Sequence, residues 1–153
     1  MAGPKNCEFK KFIPEDIPLF TEWMNDRRVK KHIFIDDVTA YYKQSLKENY
    51  RMYSVVCDGK TVAHLSGETE NNAVSVCLIV APELHNCGTG TEIIKKAISE
   101  CRKLFGDVTE IYAYIYDSNP ASIKCFEKAG FIKTESVGDG ENIYIYRIKE
   151  DLS

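Results

Sequence analysis

The sequence predicts a mixed α/β domain with a mostly antiparallel central sheet of six to seven strands and one central parallel pair. Three observations carry that prediction. Short β-type runs alternate with helical patterns along the 153 residues. Tight-turn dipeptides join three consecutive runs into a meander. One long amphipathic helix then links two apolar strands, a strand–helix–strand unit that runs parallel with a right-handed crossover.

The elements follow in order. Cys7 to Ile13 reads as a first strand. Pro14-Glu15-Asp16 opens a helix, with Pro in the first turn and acids at the N-terminus. Ile17, Phe20, Trp23 and Met24 give that helix a buried stripe. Asp36, Asp37 and Thr39 are alternative caps for a second helix that runs through Tyr42 and Leu46 to about Asn49. Met52 to Cys57 and Thr61 to Gly67 are strands joined by Asp58-Gly59, a pair that tolerates the positive φ of a hairpin turn. Asn71-Asn72 is the next turn. Ala73 to Val80 is apolar nearly throughout, which predicts a central strand covered on both faces.

The helix from Thr91 to about Phe105 carries Ile93, Ile94, Ala97, Ile98, Cys101, Leu104 and Phe105 on one stripe, and Gly106 stops it. Ile111 to Tyr116 is a β-branched and aromatic strand. Asn119 caps a short helix with Pro120 at its first position, and Gly130 ends it. Phe131 to Val137 and Asn142 to Ile148 are the last strands, around the turn Gly138-Asp139-Gly140. No repeat or linker interrupts the chain, so residues 1–153 read as one domain.

Hydrophobic residues make up 44% of the chain, enough for a core without staples, and the formal net charge is -3. That balance lacks the basic footprint of a nucleic-acid binder. The cluster Arg27, Arg28, Lys30 and Lys31 reads as a solvated face. The cysteines Cys7, Cys57, Cys77, Cys87, Cys101 and Cys125 form no C-x-x-C pair, and the expectation is reduced, mostly buried thiols in a cytoplasmic protein. His32, His64 and His85 stand too far apart for a zinc spacing. Met1 to Lys5 lacks the apolar region of a signal peptide, and no run is long enough to span a bilayer.

The chemistry starts at His85-Asn86-Cys87-Gly88-Thr89-Gly90-Thr91. A Gly-rich turn that opens a helix leaves backbone N–H groups free to meet an anion. A P-loop needs Lys after its last Gly, and none follows Gly90. A dinucleotide fingerprint needs a third Gly, where Ile93 stands. A ligand-free connection is the third reading. Downstream, Asn119 to Phe131 has the form N-x-x-S-x-x-x-F-x-x-x-G-F.

Together these segments resemble the GNAT superfamily of acetyl-CoA-dependent N-acetyltransferases, whose pyrophosphate pattern [Q/R]-x-x-G-x-[G/A] reads His85-Asn86-Cys87-Gly88-Thr89-Gly90 here, with His85 as the departure. The strand order matches as well, so the resemblance covers nearly the whole chain and implies helices on both faces of the sheet. Trp23 to Val29 resembles the branch that acetylates ribosomal-protein N-termini and aminoglycosides.

The resemblance implies a set of roles. Acetyl-CoA binds where Ala73–Val80 and Glu110–Tyr116 splay, with a bulge near Leu78 and pantetheine contacts at Leu78 and Val80. A freed N–H there stabilises the oxyanion, an effect on the order of 3 kcal/mol per donor. Asn86, Cys87, Gly88, Thr89, Gly90 and Thr91 hold the pyrophosphate through their amides. His85 replaces the usual Gln or Arg. Asn119 bonds pantetheine or caps its helix, or both, and Ser122 faces the cofactor. Phe126 stands where many members carry the Tyr that protonates the leaving thiolate. Tyr114 or Tyr116 serves instead, or no acid is needed.

An ammonium acceptor has to lose a proton before it attacks. Glu68 is the candidate catalytic base, with Glu70, Glu83 and His64 as rivals. Cys87 as an acyl nucleophile lacks a paired His. The expected partners are acetyl-CoA and an amine acceptor, with no metal, nucleic acid or membrane; a second copy of the chain is a further partner to test. The competing reading is a non-catalytic acyl-CoA-binding module. The acceptor groove is expected from about Trp23 to Asn49 and Val137 to Asn142.

Overall fold

Seven strands form one sheet in the order β1-β2-β3-β4-β5-β7-β6. They are β1 (Cys7–Lys11), β2 (Tyr50–Cys57), β3 (Lys60–Glu70), β4 (Ala73–Val80), β5 (Glu110–Tyr116), β6 (Ile132–Gly138) and β7 (Glu141–Arg147). The computed structural model describes residues 6–33 and 35–149; the reading of Met1 to Lys5 lies outside them. Strands β4 and β5 are parallel, whereas β1 with β2, β5 with β7, and β6 with β7 are antiparallel. Two-residue turns set the hairpins. Asp58 and Gly59 sit at φ 51 and 80, and Asp139 and Gly140 at φ 52 and 79, the left-handed pair that matches the twist of flanking strands.

The helices are α1 (Ile17–Met24), α2 (Arg27–Lys30), α3 (Val38–Gln44), α4 (Thr89–Ser99), α5 (Cys101–Phe105) and α6 (Pro120–Lys128). Capping explains their starts. The Asp26 side chain accepts from the Arg28 amide, Asp37 from Ala40 and Asn119 from Ser122. Three expectations change. The helix after Asp37 ends at Gln44, short of Asn49. The expected single helix to Phe105 is two, because Glu100 leaves helical geometry at φ -107, ψ 15. Strand β3 continues to Glu70, so Glu68 lies within the strand rather than after it.

Contacts gather the described residues into two units, and strands β3 and β4 run through both. The first unit holds residues 6–33, 35–66 and 78–89. Its core is Phe12, Phe20, Trp23, Met24, Val29, Val38, Met52, Ile79 and Ala81. Cys7 and Cys57 are register partners on β1 and β2 and are joined by a disulfide. This corrects the expectation of reduced thiols: directly opposed antiparallel positions bring the two sulfurs within bonding reach, which composition does not reveal. Of the four free cysteines, only Cys101 is fully buried; Cys77 is exposed.

The second unit holds residues 67–77 and 90–149. Val74, Ile93, Ile94, Phe105, Ile111, Ala113 and Ile115 are buried there. Gly67 is a packing requirement: a Cβ at that position would lie 2.5 Å from the Phe105 ring and 2.8 Å from Val74. Strand β4 corrects another expectation. Ser75 and Cys77 are exposed while Val74 and Ile79 are buried, so it is open over part of one face.

Candidate active site

Donor side. The turn between β4 and α4 is the predicted anion cradle. Asn86 and Gly88 take positive φ, 63 and 77, which tightens the turn into the start of the helix. Space beside Gly88 is open, with no heavy atom within 4 Å of a Cβ built there. Among the described residues, the amides of Asn86 to Thr91 donate to no backbone acceptor outside the helix. Unbonded amides at a helix start, beside open space, are what a pyrophosphate group requires, so the residues present fit coenzyme A. Thr89 and Thr91 are buried.

His85 is turned inward. Its Nε2 lies 3.0 Å from the Val80 carbonyl oxygen and donates to it. A bond to phosphate therefore has to come from Nδ1, which carries a proton only in the cationic ring. The same contact occupies the Val80 carbonyl. The Cys87 thiol sits 3.5 Å from the His85 carbonyl.

The α6 residues fall in the second unit. Asn119 Oδ1 accepts the Ser122 amide at 3.3 Å, so the oxygen caps the helix and the Nδ2 group is the one left for a ligand. The Phe126 ring is buried and meets Phe131 edge-on at 4.9 Å. The position that often holds a proton donor is here a core anchor.

Acceptor side. Within the second unit, a cavity of about 480 Å³ lies over the face of β4 that Ser75 shares. Its walls include Glu68, Glu70, Glu110, Ser75, Tyr112 and Tyr114. Val74 packs toward Phe105 and Ser75 points the opposite way, as strand alternation requires. The cavity is therefore on the sheet face away from α5. Two of the sequence candidates, Glu68 and Tyr114, come together in it. Tyr116 is also exposed on β5 but is not part of its wall. Sequence reading missed Tyr112, Ser75 and Glu110; the signal was the alternation of Tyr112, Tyr114 and Tyr116 with buried Ile111, Ala113 and Ile115.

Two rivals of Glu68 have other work. Glu83 pairs with Lys60 at 3.9 Å. His64 is 2% exposed, ringed by Phe12, Phe20 and Trp23, and its Nδ1 is 3.2 Å from Ser54 Oγ. Its Nε2 has no partner. Burial pushes its pKa down to about 4, against the opposing pull of Asp16 and the Tyr53 backbone. It is a neutral core residue, sealed from any acceptor. In the first unit Asp26 is held near a pKa of about 2 by its bonds to Arg28, so part of the basic cluster is internally paired. Asp37 is a helix cap.

Among the described residues no group of three or more His, Cys, Asp or Glu side chains is arranged to hold a metal, and no helix is long and apolar enough to cross a membrane.

Comparison with known proteins gives the fold and the family. No curated protein matches the chain by sequence. Solved structures share the fold. Aminoglycoside acetyltransferase AAC(6')-Ib in complex with coenzyme A and kanamycin superposes with a TM-score of 0.80 at 20% identity, covering 93% of this chain and 95% of that one. Spermidine N-acetyltransferase from Vibrio cholerae, in complex with CoA and spermine, gives 0.77 at 15% identity, with 93% and 95% covered. A domain from Methanocaldococcus jannaschii gives 0.77 at 18%, with 93% and 98% covered. The family model for the acetyltransferase (GNAT) family matches residues 17–131, a span that includes the Gly-rich turn, the cavity residues and α6. The chain belongs to the GNAT acetyltransferase family.

Proposed function

We propose that this enzyme transfers the acetyl group of acetyl-CoA to a primary amine that attacks directly, with Glu68 as the base and Tyr114 as the proton donor to the leaving thiolate. Acetyl-CoA supplies an activated acyl group; the chain's residues hold it and manage the protons. The observation that carries the assignment is that Glu68 and Tyr114 line one cavity, on the sheet face that α5 leaves open. A carboxylate and a phenol in one solvent-open cavity support this reading.

The amides of Asn86 to Thr91 bind the pyrophosphate, and those of Leu78 and Val80 pair with pantetheine as an added strand would. Asn119 contributes through Nδ2, and Ser122 lies one turn into α6. Glu68 takes a proton from the incoming ammonium, so that a neutral amine meets the thioester. Phe126, with no hydroxyl, keeps α6 seated on Phe131. The structural relatives bound to kanamycin and to spermine support an amine as acceptor. The chain acts without a metal, inside the cytoplasm, as a monomer or as a homodimer.

The test is a thiol-release assay over a panel of amines, peptides and aminoglycosides. Acetylation of an amine supports the assignment. Tight coenzyme A binding with no acetylation of any panel member would reduce the chain to a CoA-binding module.

A further inference from the structure

We propose that His85 links coenzyme A binding to protonation: its imidazole takes up a proton as the pyrophosphate enters the turn, so acid tightens the complex. The inference rests on coenzyme A binding at this turn and adds how that binding is regulated.

Hydrogen-bond geometry carries it. A carbonyl oxygen only accepts, so His85 Nε2, 3.0 Å from the Val80 carbonyl, keeps its hydrogen there. In the neutral ring Nδ1 then holds a lone pair. Whichever nitrogen bonds the carbonyl, the other lacks a hydrogen until the ring is cationic. Among the described residues only His64 Nε2 is both unpartnered and sealed from solvent, so Nδ1 of the half-buried His85 is within reach of a ligand. A neutral ring offers a phosphate oxygen a lone pair, which repels it. A cationic ring offers a second N–H and a positive charge.

The turn supplies the setting. Asn86 follows His85 directly at φ 63, Gly88 takes φ 77, and no heavy atom lies within 4 Å of a Cβ built at Gly88. Successive amides in such a turn attract an anion. Gln or Arg at the first position would be a donor at any pH near neutrality. Imidazole is the side chain that changes charge between about pH 5 and 8.

The surrounding charges leave room for an incoming anion. The charge of His85 is felt by Asp26, before α2, and by His32, after it. Asp26 is committed to the Arg28 guanidinium through bonds of 3.0 and 2.9 Å. Glu83, on the approach to the turn, pairs with Lys60 at 3.9 Å and lies near Arg28. The Cys87 thiol donates to the His85 carbonyl. Each carboxylate near the ring thus has a basic partner, and the phosphate brings the anion that an imidazolium needs. Burial, with Lys31 and His85 alongside, pushes the His32 pKa down, so His32 holds a proton weakly. Free coenzyme A carries the same pyrophosphate as acetyl-CoA, so acid also strengthens product inhibition.

The experiment uses dephospho-coenzyme A, whose pyrophosphate diester keeps its charge across this range, whereas a 3′-phosphate would titrate within it. Calorimetry of the full chain in buffers of different ionisation enthalpy reads the protons taken up on binding. The wild type should take up a fraction of one proton near neutrality, and its affinity should rise by about tenfold from about pH 8 to about pH 5.5. His85→Gln, a donor without a titrating group, should bind with no uptake and a flat pH profile. His85→Ala should bind weakly, also with no uptake, and His32→Gln should keep the wild-type uptake. Thermal melting establishes that each variant is folded. Binding without uptake in the wild type overturns the proposal, as does uptake that persists in either His85 variant or vanishes in His32→Gln. Those results leave the turn as the coenzyme A site, whereas failure of both dephospho-coenzyme A and coenzyme A to bind at any pH sinks both.

Discussion

The donor turn and the acceptor cavity are built from different material. The turn from His85 to Thr91, the proposed donor site, is defined by backbone: positive φ at Asn86 and Gly88, and open space beside Gly88. The cavity works through side chains from strands β3, β4 and β5. Backbone geometry demands particular residues at fixed spacing, so it leaves a motif. A side-chain wall needs only the right chemistry on one face, and many sequences meet that need.

The largest expected effect tests the donor side alone. Gly88→Glu places a carboxylate among the pyrophosphate amides and forces a non-glycine residue to φ 77. Coenzyme A affinity should fall by about a hundredfold or more, near 3 kcal/mol, in calorimetry, with a folded circular dichroism spectrum. Unchanged affinity would remove the turn as the cradle.

Acid should next separate the two units. His64 is buried neutral in the first unit, with its pKa pushed to about 4 from 6.5. Between those values the unfolded chain binds a proton that the folded chain refuses. Its contribution to stability is thus full above about pH 6.5 and is lost as pH falls toward 4, on the order of 3 kcal/mol in all. Urea titrations at stepped pH should show the decline, and His64→Phe should flatten it. A wild-type profile that stays flat over this window would contradict the sealed, neutral imidazole.

Gly67→Ala probes the support beneath the cavity. The added methyl meets Phe105 and Val74 well inside contact distance, so stability should drop by about 1–3 kcal/mol, read as a lowered Tm. An unshifted Tm would show that Phe105 swings aside freely. The smallest effect of the four is Glu68→Gln, expected to lower kcat/KM by about tenfold and to remove the rise of rate with pH that a carboxylate base produces. A variant profile that overlays the wild type assigns the proton to water instead.

Much of the fold was readable before any coordinates. Ala73 to Val80 is a nearly continuous apolar run, Ile93 to Leu104 has a clear helical period, and Asp58-Gly59 and Asn119-Pro120 are strong local punctuation. The proposed coenzyme A residues leave a motif because Gly88 and Asn119 also serve local geometry, a positive-φ turn and a helix cap. The acceptor face was not. Glu68 looked like a residue past the end of a strand, because a polar tail on β3 resembles a turn. Tyr114 was a candidate acid only through the family resemblance, and Tyr112 carried no signal beyond its place in an aromatic strand. The Cys7–Cys57 bond escaped because two cysteines 50 positions apart become neighbours only once β1 and β2 pair.

That bond also changes the topology of the first unit. It closes the chain from Cys7 to Cys57 into a covalent ring, and α1, α2 and α3 all lie on its circumference. A ring of this size denies the unfolded chain about 4 kcal/mol of conformational freedom in the chain-entropy picture. Reductant would reopen the ring without touching a single group of the donor turn or the cavity. The protein thus has a handle on the tenacity of its helical cap that is separate from its chemistry.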